Sequence, residues 1–247
     1  MLILIKCSYN ANMRVFFLLL VIFQLHTALA ETIKNKEYSV TIPTNWKEIS
    51  PTLINSKIQE IAKGINSKTP KYEAGYQLKN KEPFEYPYIL VTKNIYREDI
   101  DFDKATSELK VSIEDSTQNA MKKLSAVLSK FQYSDKVVDP KKKILFMNAQ
   151  SEVQNVGKIK MISAILFRKN MILTFFLYTS PNEQEKTFQE FFNIIDSVSV
   201  DYDSIEIPKK RTSIWLKILY GILFGAIFGA FQSLTKKKDN DEVELKD

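Results

Sequence analysis

Apolar and polar positions divide this chain into two long apolar runs and a mixed stretch between them. The first run, residues 15–23 with the sequence VFFLLLVIF, follows Arg14 and leads to the small residues Ala28 and Ala30. A charged start, an apolar core and a small-x-small site are typical of a secretory signal peptide. The pattern therefore predicts that residues 1–30 are a signal peptide that is removed.

The second apolar run, residues 214–234, has the length of a membrane-spanning helix, and three lysines follow it at residues 236–238. Apolar residues lie all round this helix, which favours a spanning helix over one that lies on the membrane surface. We predict a linker at residues 204–213 and a short charged cytoplasmic tail at residues 235–247. Residues 31–203 then form an extracytoplasmic domain of a single-pass cell-membrane protein. A retained signal segment becomes a second anchor and leaves that domain outside.

In the middle of the chain, alternating apolar residues predict strands, and apolar residues at helical spacing predict helices. Strands are expected at residues 37–43, 86–96, 143–156, 158–168, 171–179 and 197–200, with a short one near 74–77 in a loop over 68–87. Helices are expected from Pro51 to Gly64, from Asp101 or Asp103 to about Phe131, and at residues 183–195. A turn at Lys169 and Asn170, where Asn tolerates a positive φ, joins two strands of a meander. The order of elements predicts the α+β class, an antiparallel sheet with helices packed on it.

Two short segments resemble a known superfamily. The strand that starts at Tyr38 ends in a Pro-x-x-Trp pattern formed by Pro43 and Trp46, and residues 191–198 read FFNIIDSV. Both are similar to segments of the PsbP/Mog1-like superfamily, and the resemblance covers about residues 31–201. It implies an α/β/α sandwich with no common catalytic residues, because members are largely binding or assembly factors. The added C-terminal transmembrane helix departs from the usual pattern of that superfamily.

The chain contains one cysteine, Cys7, and one histidine, His26. Both lie in the segment expected to be removed, so the mature protein has neither residue type. That absence excludes a disulfide, a thiolate nucleophile, a histidine base and a histidine–zinc site.

The net charge of +6 does not belong to the outer domain. Two of the cations lie in the signal segment, and four flank or enter the predicted membrane helix at Lys209, Lys210, Arg211 and Lys217. The domain between them is close to neutral. A nearly neutral domain lacks the basic surface that nucleic-acid binding requires, so we expect no nucleic-acid partner.

Alternate acids at Asp99, Asp101 and Asp103 have the spacing of the first ligands of a calcium loop. However, Lys104 stands where that loop needs glycine, and Lys110 stands where it needs the bidentate glutamate. An acidic helix N-terminus explains the same residues through capping and the helix dipole. We therefore predict no metal site and no cofactor.

Three further groups have both a binding and a structural interpretation. Trp46 beside Pro43 is a candidate pocket floor, although a buried plug over the sheet edge is the commoner role. Lysines at residues 141–143 are candidates for contact with anionic lipid or an acidic partner, or form a solvated turn. No surrounding motif indicates a Ser-Lys hydrolase. Four aromatic residues are a candidate binding face or ordinary sheet packing: Phe84, Tyr86, Tyr88 and Tyr96.

In the predicted membrane helix, Gly221, Gly225 and Gly229 recur at every fourth residue, with Ala226 and Ala230 beside them. This spacing makes a stripe of small residues along which two membrane helices approach closely. The stripe is a candidate interface for a second copy of the chain or for a partner helix.

These patterns predict a non-catalytic binding or assembly module of the cell envelope, tethered to membrane lipid and acting on an unidentified protein partner. The alternative is an envelope enzyme or a solute-binding subunit that uses carboxylate or backbone groups. A deep pocket with several convergent acids favours the alternative, whereas an exposed apolar patch favours the first.

Overall fold

The computed structural model describes residues 30–65, 70–108, 128–153, 157–182 and 184–206. The predicted signal peptide up to residue 29, the predicted membrane helix with its glycine stripe, the tail and residues 207–213 of the linker lie outside the described residues. Within the described ranges, no helix is long and apolar enough to cross a membrane.

The described residues include ten strands and two helices with the following bounds. They are β1 (Ala30–Lys34), β2 (Tyr38–Pro43), β3 (Trp46–Ile49), α1 (Pro51–Ile65), β4 (Tyr72–Leu78), β5 (Tyr88–Ile95), β6 (Leu128–Asp139), β7 (Ile144–Val153), β8 (Gly157–Arg168), β9 (Met171–Thr179), α2 (Gln184–Asp196) and β10 (Ser199–Val200). Residues 102–108 are also helical, and Tyr202–Ser204 form a 3₁₀ turn.

The strands form two antiparallel sheets. The large sheet has the order β3-β4-β5-β9-β8-β7-β6, and the small sheet has the order β1-β2-β10. Apolar residues cover both faces of the central strands, and every residue of β9 is buried. A strand that is buried on both faces must have helices or a second sheet on each side.

Each face of the large sheet carries its own apolar core. On the α1 face, Ile54 and Ile58 of α1 pack against the sheet, while on the α2 face Phe191 and Ile194 of α2 pack together with the small sheet. A helix on each face confirms the predicted α+β class with antiparallel strands and packed helices. The small sheet is an addition that the sequence pattern did not predict.

Most predicted elements are confirmed, including β2, α1, β5, β7, β8, β9, α2 and β10. The turn between β8 and β9 is also confirmed, but Lys169 adopts the positive φ, at 41°. The expectation that Asn170 takes this conformation was therefore wrong.

The helix predicted to run to Phe131 is wrong at its C-terminal end, because residues 128–139 form strand β6. Phe131 and Tyr133 are two residues apart, and both pack against the core of the α1 face. The strand pairs with β7 from Leu128↔Val153 to Asp139↔Ile144. Pairing with β7 satisfies the backbone hydrogen-bonding groups of β6. This tertiary pairing outweighs the local preference for a helix that the spacing of apolar residues indicates. Pairing with β3 and β5 likewise makes Tyr72–Leu78 a full inner strand, β4, where the sequence pattern predicted only a short strand in a loop.

Candidate functional site

The aromatic group predicted from the sequence is only partly assembled. Tyr88 stacks on Tyr86 with ring centroids 5.4 Å apart and on Tyr178 at 5.0 Å, and Phe84 meets Tyr88 edge-on at 6.0 Å. Tyr96 follows the opposite end of β5. Phe84, Tyr88 and Tyr178 are buried in the core of the α1 face, so this group is sheet packing and not an open binding face.

Trp46 closes the core on the α2 face. Its side chain is 3% exposed, and its Nε1 donates a hydrogen bond to Oε2 of Glu190 at 2.8 Å. Asn45 donates to the other oxygen of the same carboxylate at 3.4 Å. Because Glu190 lies on α2, this contact ties the Pro-x-x-Trp segment to the helix. Trp46 is a hydrogen-bonded plug and not the floor of a pocket.

The acidic segment at residues 99–103 begins a helix. Oδ1 of Asp101 accepts a hydrogen bond from the backbone N–H of Lys104 at 3.0 Å, and residues 102–108 are helical. This is the geometry of an N-cap. Among the described residues, no group of three histidine, cysteine, aspartate or glutamate side chains is placed to hold a metal ion.

An ion pair that the sequence reasoning missed joins the two sheets. Nζ of Lys93 on β5 lies 2.7 Å from Oε2 of Glu37 and 3.7 Å from Oε2 of Glu73, and the side chains of Lys93 and Glu37 are 16% and 7% exposed. Burial raises the pKa of the neighbouring Tyr38 and Tyr76 hydroxyls far above the usual value, with nearby carboxylates adding to the effect. The one sequence feature that indicated this ion pair was Lys93 within the mostly buried strand β5, which reads YILVTKNI.

A groove of about 600 Å³ lies between α1 and the start of β4. Its central side chain, Asn55, donates to the carbonyls of Pro51 and Tyr72 and accepts from the N–H of Tyr72. Glu73 is the one acid among the described lining residues, and it pairs with Lys71 at 3.4 Å. The groove therefore lacks the convergent acids expected of a catalytic or solute-binding pocket.

The turn between β6 and β7 combines exposed apolar and basic side chains. Val137 and Val138 are 59% and 43% exposed at the end of β6, the edge strand of the large sheet. Lys141, Lys142 and Lys143, the candidates for lipid or partner contact or for a solvated turn, follow after Asp139 and Pro140, and all three are exposed. Exposed apolar side chains therefore lie next to three cations at this end of the sheet.

The apolar part of this surface extends across the sheet onto α2. Val137 lies opposite Phe146 in the register of β6 and β7, and Phe146 meets Phe192 edge-on with ring centroids 5.3 Å apart. Phe192 is 37% exposed. Val138 lies opposite Leu145 of the α1-face core, so its side chain is on the other face of β6. We call this end of the sheet the turn surface, and it consists of Val137, Phe146 and Phe192 on the α2 face, Val138 on the α1 face, and Lys141, Lys142 and Lys143 in the turn.

Hydrogen bonds hold the turn surface in one conformation. Oδ1 of Asp139 accepts from the backbone N–H of Lys142 at 3.0 Å, and Nη1 of Arg168 donates to the Lys142 carbonyl at 2.8 Å. Nζ of Lys142 lies 2.7 Å from Oδ1 of Asp196 at the end of α2, which raises the pKa of Lys142 through the hydrogen bond. The lysines are therefore presented by a structured turn.

The last described residues lie at this same end of the sheet. Burial lowers the pKa of Arg168, and the nearby Tyr202 of the 3₁₀ turn partly opposes that shift. Glu206 forms an ion pair with Lys36, which precedes Glu37 of the buried pair with Lys93. Lys93 lies level with Asp139 across the large sheet, through Leu173, Leu166 and Ile144 of the strands between them. The described chain therefore ends at the same end of the sheet as the turn after β6.

Comparisons with known proteins give structural likenesses at low identity. A solved structure of the cyanobacterial PsbP protein CyanoP from Synechocystis sp. PCC 6803 is similar over 70% of this chain and 94% of its own, with 11% identity and a TM-score of 0.42. A crystal structure of a protein from Bacteroides thetaiotaomicron is similar over 69% of this chain and 47% of its own, with 9% identity and a TM-score of 0.35. No family model and no curated protein match the chain.

Proposed function

We propose that this protein is a non-catalytic binding or assembly module of the cell envelope, held at the cell membrane by a C-terminal membrane helix with its folded domain outside the cytoplasm. The two apolar runs at residues 15–23 and 214–234 support the location. An unidentified protein partner, or a second copy of the chain, completes the assembly.

The turn surface is the observation that carries the binding role. Val137 and Phe192 expose apolar area on the α2 face, and Val138 exposes apolar area on the other face of the same edge strand, where water contact is unfavourable. An exposed apolar patch with a polar rim is typical of a surface that contacts a partner or a membrane. The groove beside α1 supports the alternative of a solute-binding subunit, but its Asn55 and Ser56 side chains are bonded to the backbone and its Glu73 pairs with lysine.

The tether is tested by comparing the full chain with a chain that stops after Glu206. The full chain is expected to remain in the membrane pellet after alkaline carbonate washing, and protease added from outside is expected to digest its domain. The shortened chain is expected in the soluble extracytoplasmic fraction. Recovery of the full chain in the wash, or protection of the domain from external protease, contradicts the proposal.

The glycine stripe is proposed as the surface through which the membrane helix associates. Gly225→Leu places a bulky side chain at the centre of the stripe, where close backbone approach is required, and we expect a loss of about 1 kcal/mol or more in association free energy. Energy transfer between labelled full-length chains in vesicles measures this association. Leu223→Ile, on another face, is the matched control and is expected to change little. Equal association of the Gly225→Leu chain and the parent shows that the helix is only an anchor.

A further inference from the structure

The turn surface and the exit of the chain share one end of the domain. Lys142 of the turn surface pairs with Asp196 at the end of α2, ten residues before Glu206, and Glu206 pairs with Lys36 at the same end of the large sheet. The chain then continues to Glu206, the last described residue. Any tether that follows Glu206 therefore pulls on the end of the domain that carries the turn surface.

The proposed membrane helix limits how far this end can lie from the bilayer. Residues 207–213 separate Glu206 from its start at Ile214, and a fully extended segment of that length spans at most about 25 Å. A tether this short keeps the domain at high effective concentration next to the membrane. This argument rests on the proposed function, because it requires the membrane helix.

We propose that the turn surface docks on the anionic lipid surface of the membrane in which the chain is anchored. The lysines contact lipid phosphate groups, while Val137 and Val138, one on each face at the end of the edge strand β6, enter the boundary between headgroups and acyl chains. Among the described residues, Lys141 and Lys143 take part in no ion pair, so their charges are available to an anionic ligand. Each lysine close to an anionic bilayer strengthens binding about fivefold, and exposed apolar side chains add to it.

A depth probe on the full-length chain tests the docking. Cys7→Ser removes the thiol of any chain that keeps the signal segment, and Val138→Cys then carries a single fluorophore. The labelled chain is reconstituted in phosphatidylcholine vesicles with a brominated-lipid quencher, with or without about one third phosphatidylglycerol. We expect strong quenching in the anionic vesicles and weak quenching in the neutral ones. The matched label at Asn80→Cys, an exposed residue at the opposite end of the sheet, is expected to stay unquenched in both.

Charge reversal separates electrostatic docking from simple proximity. Lys141→Glu with Lys143→Glu is expected to reduce the ratio of docked to undocked domain at least about 25-fold, from fivefold for each lysine removed. Lys79→Glu with Lys158→Glu makes the same change in net charge at exposed positions on the opposite end, and it is expected to leave docking unchanged.

The outcomes distinguish this inference from the proposed function. If the chain is lost from the vesicles in an alkaline carbonate wash, the membrane helix and with it the proposed function fail. If the chain stays anchored and residue 138 is quenched no more than residue 80, the docking proposal is overturned. Equal quenching in neutral and anionic vesicles overturns the role of the lysines. A label that is shielded from water but not quenched by lipid identifies a protein occupant and also overturns lipid docking.

Discussion

Lys93→Met is expected to lower the free energy of unfolding by about 3 kcal/mol, the lower end of the range for breaking one side of a buried ion pair. The substitution replaces the aliphatic part of the side chain with an unbranched apolar one and removes the charge that lies 2.7 Å from Glu37. The Glu37 carboxylate is 7% exposed and cannot recover its hydration in the folded protein. Glu73, at 3.7 Å from the same ammonium, loses a weaker contact.

Urea unfolding of the full chain in lipid nanodiscs, followed by circular dichroism, measures the change. Lys34→Met, on the exposed strand β1, is the matched control and is expected to stay within about 0.5 kcal/mol of the parent. The double variant Lys93→Met with Glu37→Gln is expected to regain part of the loss, because the buried partner is then uncharged. If Lys93→Met costs no more than Lys34→Met, the pair does not hold the two sheets together.

Gly75→Ala is expected to destabilise the fold by about 2 kcal/mol, as overpacking a close-packed core does. A Cβ atom at this position in β4 lies 2.7 Å from Cδ1 of Ile54 on α1, 3.2 Å from Cδ2 of Leu90 and 3.3 Å from the carbonyl oxygen of Ile89. Ile54 is fully buried, so its side chain has little room to turn away. Glycine at this position lets α1 approach the sheet.

Ile54→Val provides the matched rescue, because it removes the Cδ1 atom that the new methyl group meets. Alone it is expected to cost about 1 kcal/mol. The double variant Gly75→Ala with Ile54→Val is expected to cost clearly less than the sum of the two single changes, since they act on the same contact. Additive losses in the same urea experiment would mean that Gly75 matters for the strand itself and not for its contact with α1.

The confirmed elements are those with a strong local period. β2 alternates buried and half-buried residues from Tyr38 to Pro43, and α1 begins at Pro51, which suits a first helical turn. Such patterns are set by near neighbours in the chain, and tertiary packing reinforced them here. The end of the helix predicted near Phe131 failed because Leu128 and Phe131 lie in strand β6, whose pairing with β7 the local spacing of apolar residues does not reveal.

The candidate site was harder to predict than the elements. Lysines at residues 141–143 are visible in the sequence, but their meaning depends on Val137, Val138 and Phe192 remaining exposed. Exposure of β6 follows from its place at the edge of the sheet, and strand order is a property of the whole fold. Likewise, the acids at residues 99–103 form an N-cap because a helix starts at residue 102.

The sequence by itself determined the chemical limits of this protein, because Cys7 and His26 are its only cysteine and histidine, and it predicted the α+β class from period and order. Only the tertiary structure decided which polar groups meet. Glu37 and Lys93 are 56 residues apart, and Trp46 and Glu190 are 144 apart. Local periodicity reports which face of an element is buried, whereas long-range contacts depend on how sheets and helices pack, which no short window of sequence contains.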